Sequence, residues 1–405
     1  PPHAGAVYWV RGLVARIKEP MEKLRGLNKL VMETEESKEI TKLYQQLSAA
    51  LEEYERDTIE DWVKESESTS DERLKQSLLA LDERGEIEGI LRVNFDPMLV
   101  RLLREVKYFL LLGVEVPPSA MKTYERSETL RQQTGNLDLI VVTYNNILRS
   151  LLPVEKPLVE KKLEAIDASL QKGIQTLNWN SHKINDYIAE VMSSVKELNN
   201  ILETVKGNVE KTRDFLAKWE ANLMLKRKEG KTYEVDEFKE VQKALQQQCN
   251  SEIVEGAANI SKLLSASNKI LNVPRASAPW RMYVEYVNEI VMEGFSKAIL
   301  TSVAYLNEQV DPDIIAKNET VPLLEIALEL VAPDIQWQPE IGQAGDGSGV
   351  RDQFNSWVGA FQAIGTLMKR LDIGEGNYMM ELEEDYNVLD AVSTIQEVVL
   401  ANEAE

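Results

Sequence analysis

The sequence predicts a mainly α-helical protein, built as consecutive helical bundles, with a few short β-hairpins. Apolar residues recur at steps of three and four along most of the 405 residues, which is the spacing of amphipathic helices. Pro and Gly residues separate these patterned segments. One pattern continues for about forty residues, roughly 60 Å of helix, which exceeds the diameter of a small domain. We expect four segments, 1–116, 117–180, 181–273 and 274–405.

The first segment should begin with two amphipathic helices. Apolar residues follow helical spacing at 6–30 and at 38–64, where Leu43, Leu47, Leu51 and Tyr54 mark one face. The stretch 65–71, rich in Ser, Glu and Thr, is predicted to be a loop. Residues 77–82 and 86–95 flank Glu83-Arg84-Gly85 and predict a short hairpin. Asp96 and Pro97 are typical of a helix start, so a helix should extend to Leu112.

The second segment should hold two helices, at 119–152 and 157–172, with breaks near Gly135 and Pro153. Beyond it begins the longest pattern of the chain. Apolar positions alternate steps of four and three, a 3.5-residue repeat. The predicted seam of this long helix comprises Ile184, Ile188, Val191, Val195, Leu198, Leu202, Val205, Val209, Leu216, Trp219 and Leu223.

The seam is wider than that of a two-stranded coiled coil. Tyr187, Ile201 and Phe215 lie on its flank and give the broad apolar face of a helix buried in a bundle. Trp219 also fits a dimeric zipper poorly. We therefore favour packing within the chain, while pairing with a second chain along the seam stays the alternative.

The remaining chain continues the helical pattern. After a basic break at 226–231, a helix at 235–271 should return along the long helix as an antiparallel hairpin. A further helix over 280–305 contains Gly294 and Ala298, which would admit a close neighbour. Apolar residues alternate at 324–338 around Ala332-Pro333-Asp334 and predict a second β-hairpin. A flexible loop at 342–349 and helices at 350–371 and 378–400 complete the prediction.

Composition argues against several classes of function. The formal net charge is −21, whereas nucleic-acid binding depends on clustered Lys and Arg; we expect neither nucleic acid nor an anionic membrane as a partner. Residues 321–405 hold sixteen acidic and three basic residues, so a partner with a basic face could dock there. The chain lacks a long apolar run and begins Pro1-Pro2-His3, so we expect an internal piece of a soluble intracellular protein.

We expect no catalytic, cofactor or metal site in this chain. Cys249 is the single cysteine, and His3 and His182 are the only histidines, so the usual zinc ligands and proton carriers are scarce. Gly230-Lys231-Thr232 resembles the end of a phosphate-binding loop, but Leu225 stands where that loop needs a glycine.

Two further patterns also predict no binding site. The glycines at 342–349 lack a preceding parallel strand. The cluster of Glu381, Glu383, Glu384 and Asp385 lacks the spacing of a calcium loop, so we expect a solvated helix face. An enzyme with an unrecognised site stays a third hypothesis, which ATP binding by the purified chain would test.

Several stretches together resemble the tail region of dynein heavy chains. They lie in the expected order along nearly the whole chain, and their sequences are similar to those of the axonemal, outer-arm type. None of them is by itself a functional motif. The stretches are 1–9 (PPHAGAVYW), 91–97 (LRVNFDP), 103–108 (LREVKY), 177–181 (LNWNS), 280–290, 323–329, 349–352 (GVRD) and 369–372 (KRLD).

The resemblance implies that the consecutive helical bundles form an elongated tail, which serves as a non-catalytic scaffold in the axoneme of a cilium or flagellum. ATP and Mg²⁺ would bind in the motor ring of the parent chain, outside this segment. The implied partners are dynein intermediate chains, light chains and other heavy chains, with the doublet microtubule reached through docking subunits. A self-contained coiled-coil tether or adaptor of another cytoskeletal complex stays the alternative function.

Overall fold

The computed structural model describes residues 1–26, 29–82, 90–372, 376–379, 382 and 388–404. The prediction of a mainly helical fold is confirmed, since 73% of the residues that the structure describes are helical and the strands form small two-stranded sheets. The contacts divide the chain into two compact units, Pro1–Leu151 with Lys161–Asn199, and Leu152–Glu160 with Asn200–Glu405. The finer division at 116, 180 and 273 stays a prediction.

The first unit consists of helices around one small antiparallel sheet. Its core joins the start of the first helix to later helices through Ala4, Val7, Trp62, Val106 and Phe109, with the Trp62 and Phe109 rings 4.3 Å apart. Two helices belong to both units. The elements are α1 Pro2–Arg25, α2 Lys29–Met32, α3 Glu35–Arg73, β1 Leu79–Leu81, β2 Leu91–Val93, α4 Pro97–Leu111, α5 Pro118–Glu125, α6 Ser127–Ser150, the part of α7 Lys156–Gln175 from Lys161 onward, and the part of α8 Ile184–Ala221 up to Asn199.

The second unit packs helices around one that is apolar on most sides. This central helix, α10, buries residues along its whole length, as expected for a helix enclosed by neighbours. The elements after α8 are β3 Tyr233–Glu234, α9 Val235–Leu271, α10 Ala278–Val310, α11 Pro312–Asn318, β4 Leu324–Glu325, β5 Ala327–Val331, β6 Asp334–Gln338, α12 Val350–Gln362, a 3₁₀ helix Ala363–Thr366 and α13 Val388–Ala404. Strand β3 pairs with β4 in parallel, and β5 pairs with β6 antiparallel.

Most predicted elements are confirmed within a few residues. The return helix, α9, spans 235–271 as predicted, and α4 begins at Pro97 with the Asp96 side chain accepting the Met98 N–H. Strands of both predicted hairpins are present. The turn Glu83-Arg84-Gly85 of the first hairpin and the cluster Glu381, Glu383, Glu384 and Asp385 lie outside the described residues.

Two predicted breaks are wrong. The stretch 65–71 continues α3, because Trp62 and Ser66 are buried and Ser and Thr reduce helix stability by only a few tenths of a kcal/mol each. Gly135 lies inside α6, between the buried Gln133 and Leu137. Tertiary packing there offsets the cost of about 1 kcal/mol that a glycine imposes on a helix.

One predicted helix is shorter than expected. The helix at 350–371 ends at Gln362 and continues as a 3₁₀ helix to Thr366. In the part of the chain that the structure describes, no helix is long and apolar enough to cross a membrane.

Candidate interaction surfaces

The seam of α8 faces the interior of its own chain. Ten of the eleven predicted side chains are buried, whereas Leu223 is half-buried and lies after the helix ends at Ala221. Of the flanking residues, Tyr187 is buried and Ile201 and Phe215 are half-buried. A dimeric coiled coil along this seam would need an exposed stripe. The burial therefore favours packing within the chain.

In the first unit, α8 packs closely against α7. The Tyr187 ring lies against Gly173, where an added Cβ would stand 2.4 Å from the Tyr187 hydroxyl. Burial raises the pKa of Tyr187 to about 12. The phenol is therefore neutral at physiological pH and serves packing.

In the second unit, α8 packs against α9 and α10. The Asn208 amide donates a 2.9 Å hydrogen bond to Ser267 Oγ on α9, and the Trp219 and Phe295 rings lie 5.0 Å apart. The predicted close approach at Gly294 is present, because an added Cβ there would lie 2.7 Å from the Leu216 side chain. Helices of the same chain thus cover this half of the seam.

Two of the stretches quoted above meet at the start of α1. Glu105 of α4 accepts hydrogen bonds from the backbone N–H groups of His3 (3.0 Å) and Ala4 (2.8 Å). It supplies from a distant helix the cap that the first turn of α1 needs. His3 also lies 3.6 Å from Glu105 and 3.7 Å from Glu65. No local sequence pattern indicates this cluster, since the two carboxylates lie far from His3 along the chain.

Two more of these stretches meet at Trp179. Its ring packs edge-to-face on Phe95, 4.9 Å between centroids, and its indole N–H donates to Asn94 O at 2.9 Å. The Arg126 guanidinium donates to Trp179 O at 2.6 Å. The loop before α8 is thereby tied to the strand region before α4.

In the second unit, the stretch 280–290 binds the stretch 369–372. The Trp280 indole donates to Asp372 at 2.6 Å, and Arg370 pairs with Glu285 at 2.7 Å. The buried Asn288 accepts the Leu371 N–H at 3.2 Å. Together with the contacts at Glu105 and Trp179, this indicates that these stretches stabilise the fold.

The residues rejected as binding sites have structural roles where they are described. Lys231 pairs with Glu237, and its ammonium lies 4.4 Å from the Tyr233 ring centroid. The loop at 342–349 is tied to α12, because Ala344 N–H donates to the Asp352 carboxylate at 2.9 Å. Within the described ranges, no group of three or more His, Cys, Asp or Glu side chains could hold a metal ion.

One exposed apolar surface lies in the first unit, along α3. The predicted helix is confirmed, but the face that we expected to pack is largely exposed, with Leu43 58% and Leu47 50% accessible. Ile40 and Tyr54 continue it. We call Ile40, Leu43, Leu47 and Tyr54 the α3 stripe.

A second exposed apolar surface lies in the second unit, on the β5–β6 hairpin. Leu328 faces Trp337 and Leu330 faces Ile335 across the two strands, so all four side chains share one face. Their exposures are 60%, 47%, 76% and 68% respectively. We call these four residues the hairpin face. Sequence alternation located it but gave no sign that it would be uncovered.

A groove adjoins the hairpin in the same unit. It is about 500 Å³ in volume and is lined by apolar residues of α10, α11, α12 and α13 and of the segment before β5. A second cavity of about 240 Å³ extends it between α12 and α13, and Phe354 and Val399 line both. Leu324 and Ile326 also line the larger cavity; they stand four and two residues before Leu328, respectively.

Comparisons with known proteins agree with the resemblance in the sequence. The family model described as dynein heavy chain, N-terminal region 1, matches residues 1–187. The chain is 46% identical to the dynein beta chain of the flagellar outer arm of Chlamydomonas reinhardtii, over 100% of this chain and 10% of that protein. It is 32% identical to a ciliary dynein beta chain of Heliocidaris crassispina, over 95% of this chain and 9% of that one.

A human protein is also similar to this chain. The chain is 28% identical to dynein axonemal heavy chain 9 of Homo sapiens, over 98% of this chain and 9% of that one. The chain thus spans about a tenth of the length of the curated relatives it matches. These relatives are flagellar, ciliary and axonemal chains, which places this chain in the cytoskeleton of the axoneme. The chain belongs to the dynein heavy chain family, as a segment of the N-terminal region of an axonemal member.

Proposed function

We propose that this chain is a non-catalytic tail segment that scaffolds an axonemal dynein. In this proposal it holds intermediate chains, light chains and neighbouring heavy chains, and it anchors an ATP-driven motor to the doublet microtubule for ciliary or flagellar beating. The observation that carries the proposal is the 46% identity, over the whole chain, to a flagellar outer-arm beta chain. ATP and Mg²⁺ would bind elsewhere in the heavy chain, and this segment would need no cofactor.

The physical character of the chain supports a scaffolding role. Long helices packed into bundles are stiff along their axes, which suits a part that transmits force. Uncovered apolar surfaces such as the α3 stripe and the hairpin face are typical of sites where other subunits bind.

The charge of the chain indicates how it would reach the microtubule. A net charge of −21 would be repelled by an acidic filament surface. We therefore propose attachment through adaptor subunits and not through direct contact.

Size-exclusion chromatography with light scattering tests the proposal. The 405-residue chain is run alone and mixed with candidate axonemal dynein intermediate chains. We expect a monomer that co-elutes with an intermediate chain. A stable dimer that binds no intermediate chain would contradict the proposal and support the alternative, a coiled-coil tether or adaptor. The burial of Leu198 and its seam neighbours already opposes this alternative.

Binding of labelled ATP to the purified chain separates the scaffold from an enzyme. We expect no binding in the presence of Mg²⁺. Saturable binding would instead support the hypothesis of a site that sequence patterns do not reveal.

A further inference from the structure

The hairpin face is unusual because the hairpin exposes its apolar side. The opposite side carries Glu329 facing Gln336 and Val331 facing Asp334. A two-stranded hairpin is marginally stable in water unless its apolar face packs on something. In the first unit, the β1–β2 hairpin follows this rule, since Leu79 and Leu91 are buried. The β5–β6 hairpin therefore has the composition of a packed element without the packing.

The hairpin face and the groove are neighbours along the chain. Leu324 and Ile326 line the groove, and Leu328 and Leu330 of the exposed hairpin follow within six residues. The groove extends between α12 and α13 through the second cavity. A groove that continues into a second cavity and has the hairpin face beside it fits an elongated apolar ligand better than a compact one.

The charge around this surface is mostly negative. Residues 308–350 hold nine acidic residues and one basic residue, Lys317, and one further basic residue, Arg351, lines the second cavity. An occupant with Lys and Arg beside its apolar contacts would gain both attraction and faster association. A second copy of this chain would bring the same negative charge and be repelled.

The size of the hairpin face also argues against a second copy. Four exposed side chains make a patch on the order of the largest one found on ordinary monomers, roughly 300–600 Å². A stable protein interface buries about 800 Å² on each partner. An amphipathic helix lying in a groove can instead bind through a few apolar anchors at helical spacing.

We propose that the groove and the hairpin face together bind an amphipathic helix of another subunit, with apolar residues on one side and Lys or Arg on its flanks. The inference rests on the proposed scaffold function and specifies one of its docking sites. Binding buries Leu328, Leu330, Ile335 and Trp337 and fixes the hairpin over the helix. The apolar side of the bound helix supplies affinity, and its basic flanks supply orientation.

A labelled peptide tests the recognition directly. The probe is an 18-residue peptide of Leu and Lys arranged as an amphipathic helix, measured by fluorescence anisotropy with the 405-residue chain. We expect binding that weakens with salt and that falls at least tenfold in the double variant Leu328→Ser/Leu330→Ser. Both residues are already exposed, so the substitutions should leave the fold intact, which circular dichroism checks.

Matched controls distinguish specific binding at this surface from nonspecific binding of a cationic peptide to an acidic protein. The double variant Leu43→Ser/Leu47→Ser removes two exposed leucines of the α3 stripe and should bind the peptide like the unmodified chain. A scrambled Leu/Lys peptide and a Leu/Glu peptide should bind at least tenfold more weakly than the probe. Equal losses in the two double variants, or equal binding of the three peptides, would overturn the inference.

Crosslinking in the assembled complex identifies the occupant. A photo-crosslinking amino acid replaces Trp337 in the full heavy chain, and the products are mapped by mass spectrometry. Attachment to a basic amphipathic helix of another subunit supports the inference. Attachment to a second copy, to another part of the same heavy chain, or to nothing would contradict it.

The two proposals fail in different ways. If the chain co-elutes with an intermediate chain while the crosslinks and the peptide disagree with the inference, the scaffold function stands and the docking site is wrong. If the unmodified chain binds no accessory subunit, the scaffold function itself fails.

Discussion

Asn288 shows how one buried amide joins distant parts of the second unit. It lies on α10, is 1% exposed, and accepts hydrogen bonds from the Leu371 N–H at 3.2 Å and the Tyr378 hydroxyl at 2.7 Å. Sequence patterns mark it only as a polar position in an apolar helix. Its partners lie more than eighty residues away, so no local signal could identify its role.

Replacing this amide should destabilise the chain. Asn288→Ala removes the acceptor of two buried hydrogen bonds, which costs about 1–3 kcal/mol of unfolding free energy. Asn200→Ala makes the same change at an exposed position of α8 and should leave the stability within about 0.5 kcal/mol. Denaturant unfolding of both variants measures the difference, and equal effects would refute a structural role for Asn288.

Asp96 makes the stability of the first unit depend on pH. Burial by itself would raise the pKa of Asp96, but the Met98 N–H and the Arg73 guanidinium favour the charged carboxylate and hold the pKa below its ordinary value of 3.8. A carboxyl group with a lowered folded-state pKa stabilises the fold above its unfolded pKa, and this stability is lost as pH falls through the folded pKa. The contribution should therefore be complete at neutral pH and disappear below about pH 4.

The variant Asp96→Asn isolates this charge, because Asn also caps helices well. At pH 7 it should be less stable than the unmodified chain by about 1 kcal/mol. The gap should narrow as the pH falls below 4, since the unmodified carboxyl then becomes neutral as well. Unfolding curves between pH 7 and pH 3 give the comparison, and a gap independent of pH would contradict the assignment.

At the scale of elements, glycines in the helices differ in what they allow. Gly207 lies within α8 with nothing within 4 Å of an added Cβ, whereas at Gly294 of α10 that atom would meet Leu216 at 2.7 Å. Gly207→Ala should raise the unfolding free energy by up to about 1 kcal/mol through helix propensity. Gly294→Ala should lower it by about 1–3 kcal/mol through overpacking. Thermal unfolding that gave both variants the same sign of change would contradict the packing of α8 on α10.

The seam of α8 gives the most severe expected effect. Leu198 is 1% exposed, so Leu198→Asp places an unpaired charge in the bundle and should cost about 3–5 kcal/mol. Asn200→Asp adds the same charge on the exposed side of the same helix and should cost far less. An unchanged melting temperature for Leu198→Asp would show that this face is exposed in solution.

Elements were predictable from the sequence where periodicity and capping agreed. The 3.5-residue repeat correctly predicted α8, and Asp96-Pro97 correctly predicted the start of α4, because each pattern depends on residues that are close in sequence. The prediction of a loop at 65–71 was wrong because the burial of Trp62 and Ser66 outweighs the weak helix propensity of the Ser- and Thr-rich stretch. Local composition does not indicate such long-range packing.

At the scale of the whole molecule, the same limit applies to surfaces. The alternation at 324–338 correctly predicted a hairpin, yet a pattern that normally indicates a covered face belongs here to an exposed one. The α3 stripe is likewise amphipathic in sequence and exposed in the structure. A sequence specifies which side chains share a face, but only the complete fold or a partner decides whether that face is covered.

If the chain is a scaffold, other subunits cover its apolar surfaces in the assembled complex. Crosslinking mass spectrometry of the intact axonemal dynein complex is the most direct test of this role. We predict crosslinks between accessory subunits and this segment, concentrated near the β5–β6 hairpin and α3. Complexes in which accessory subunits crosslink only to other parts of the heavy chain, with none within reach of this segment, would contradict the account.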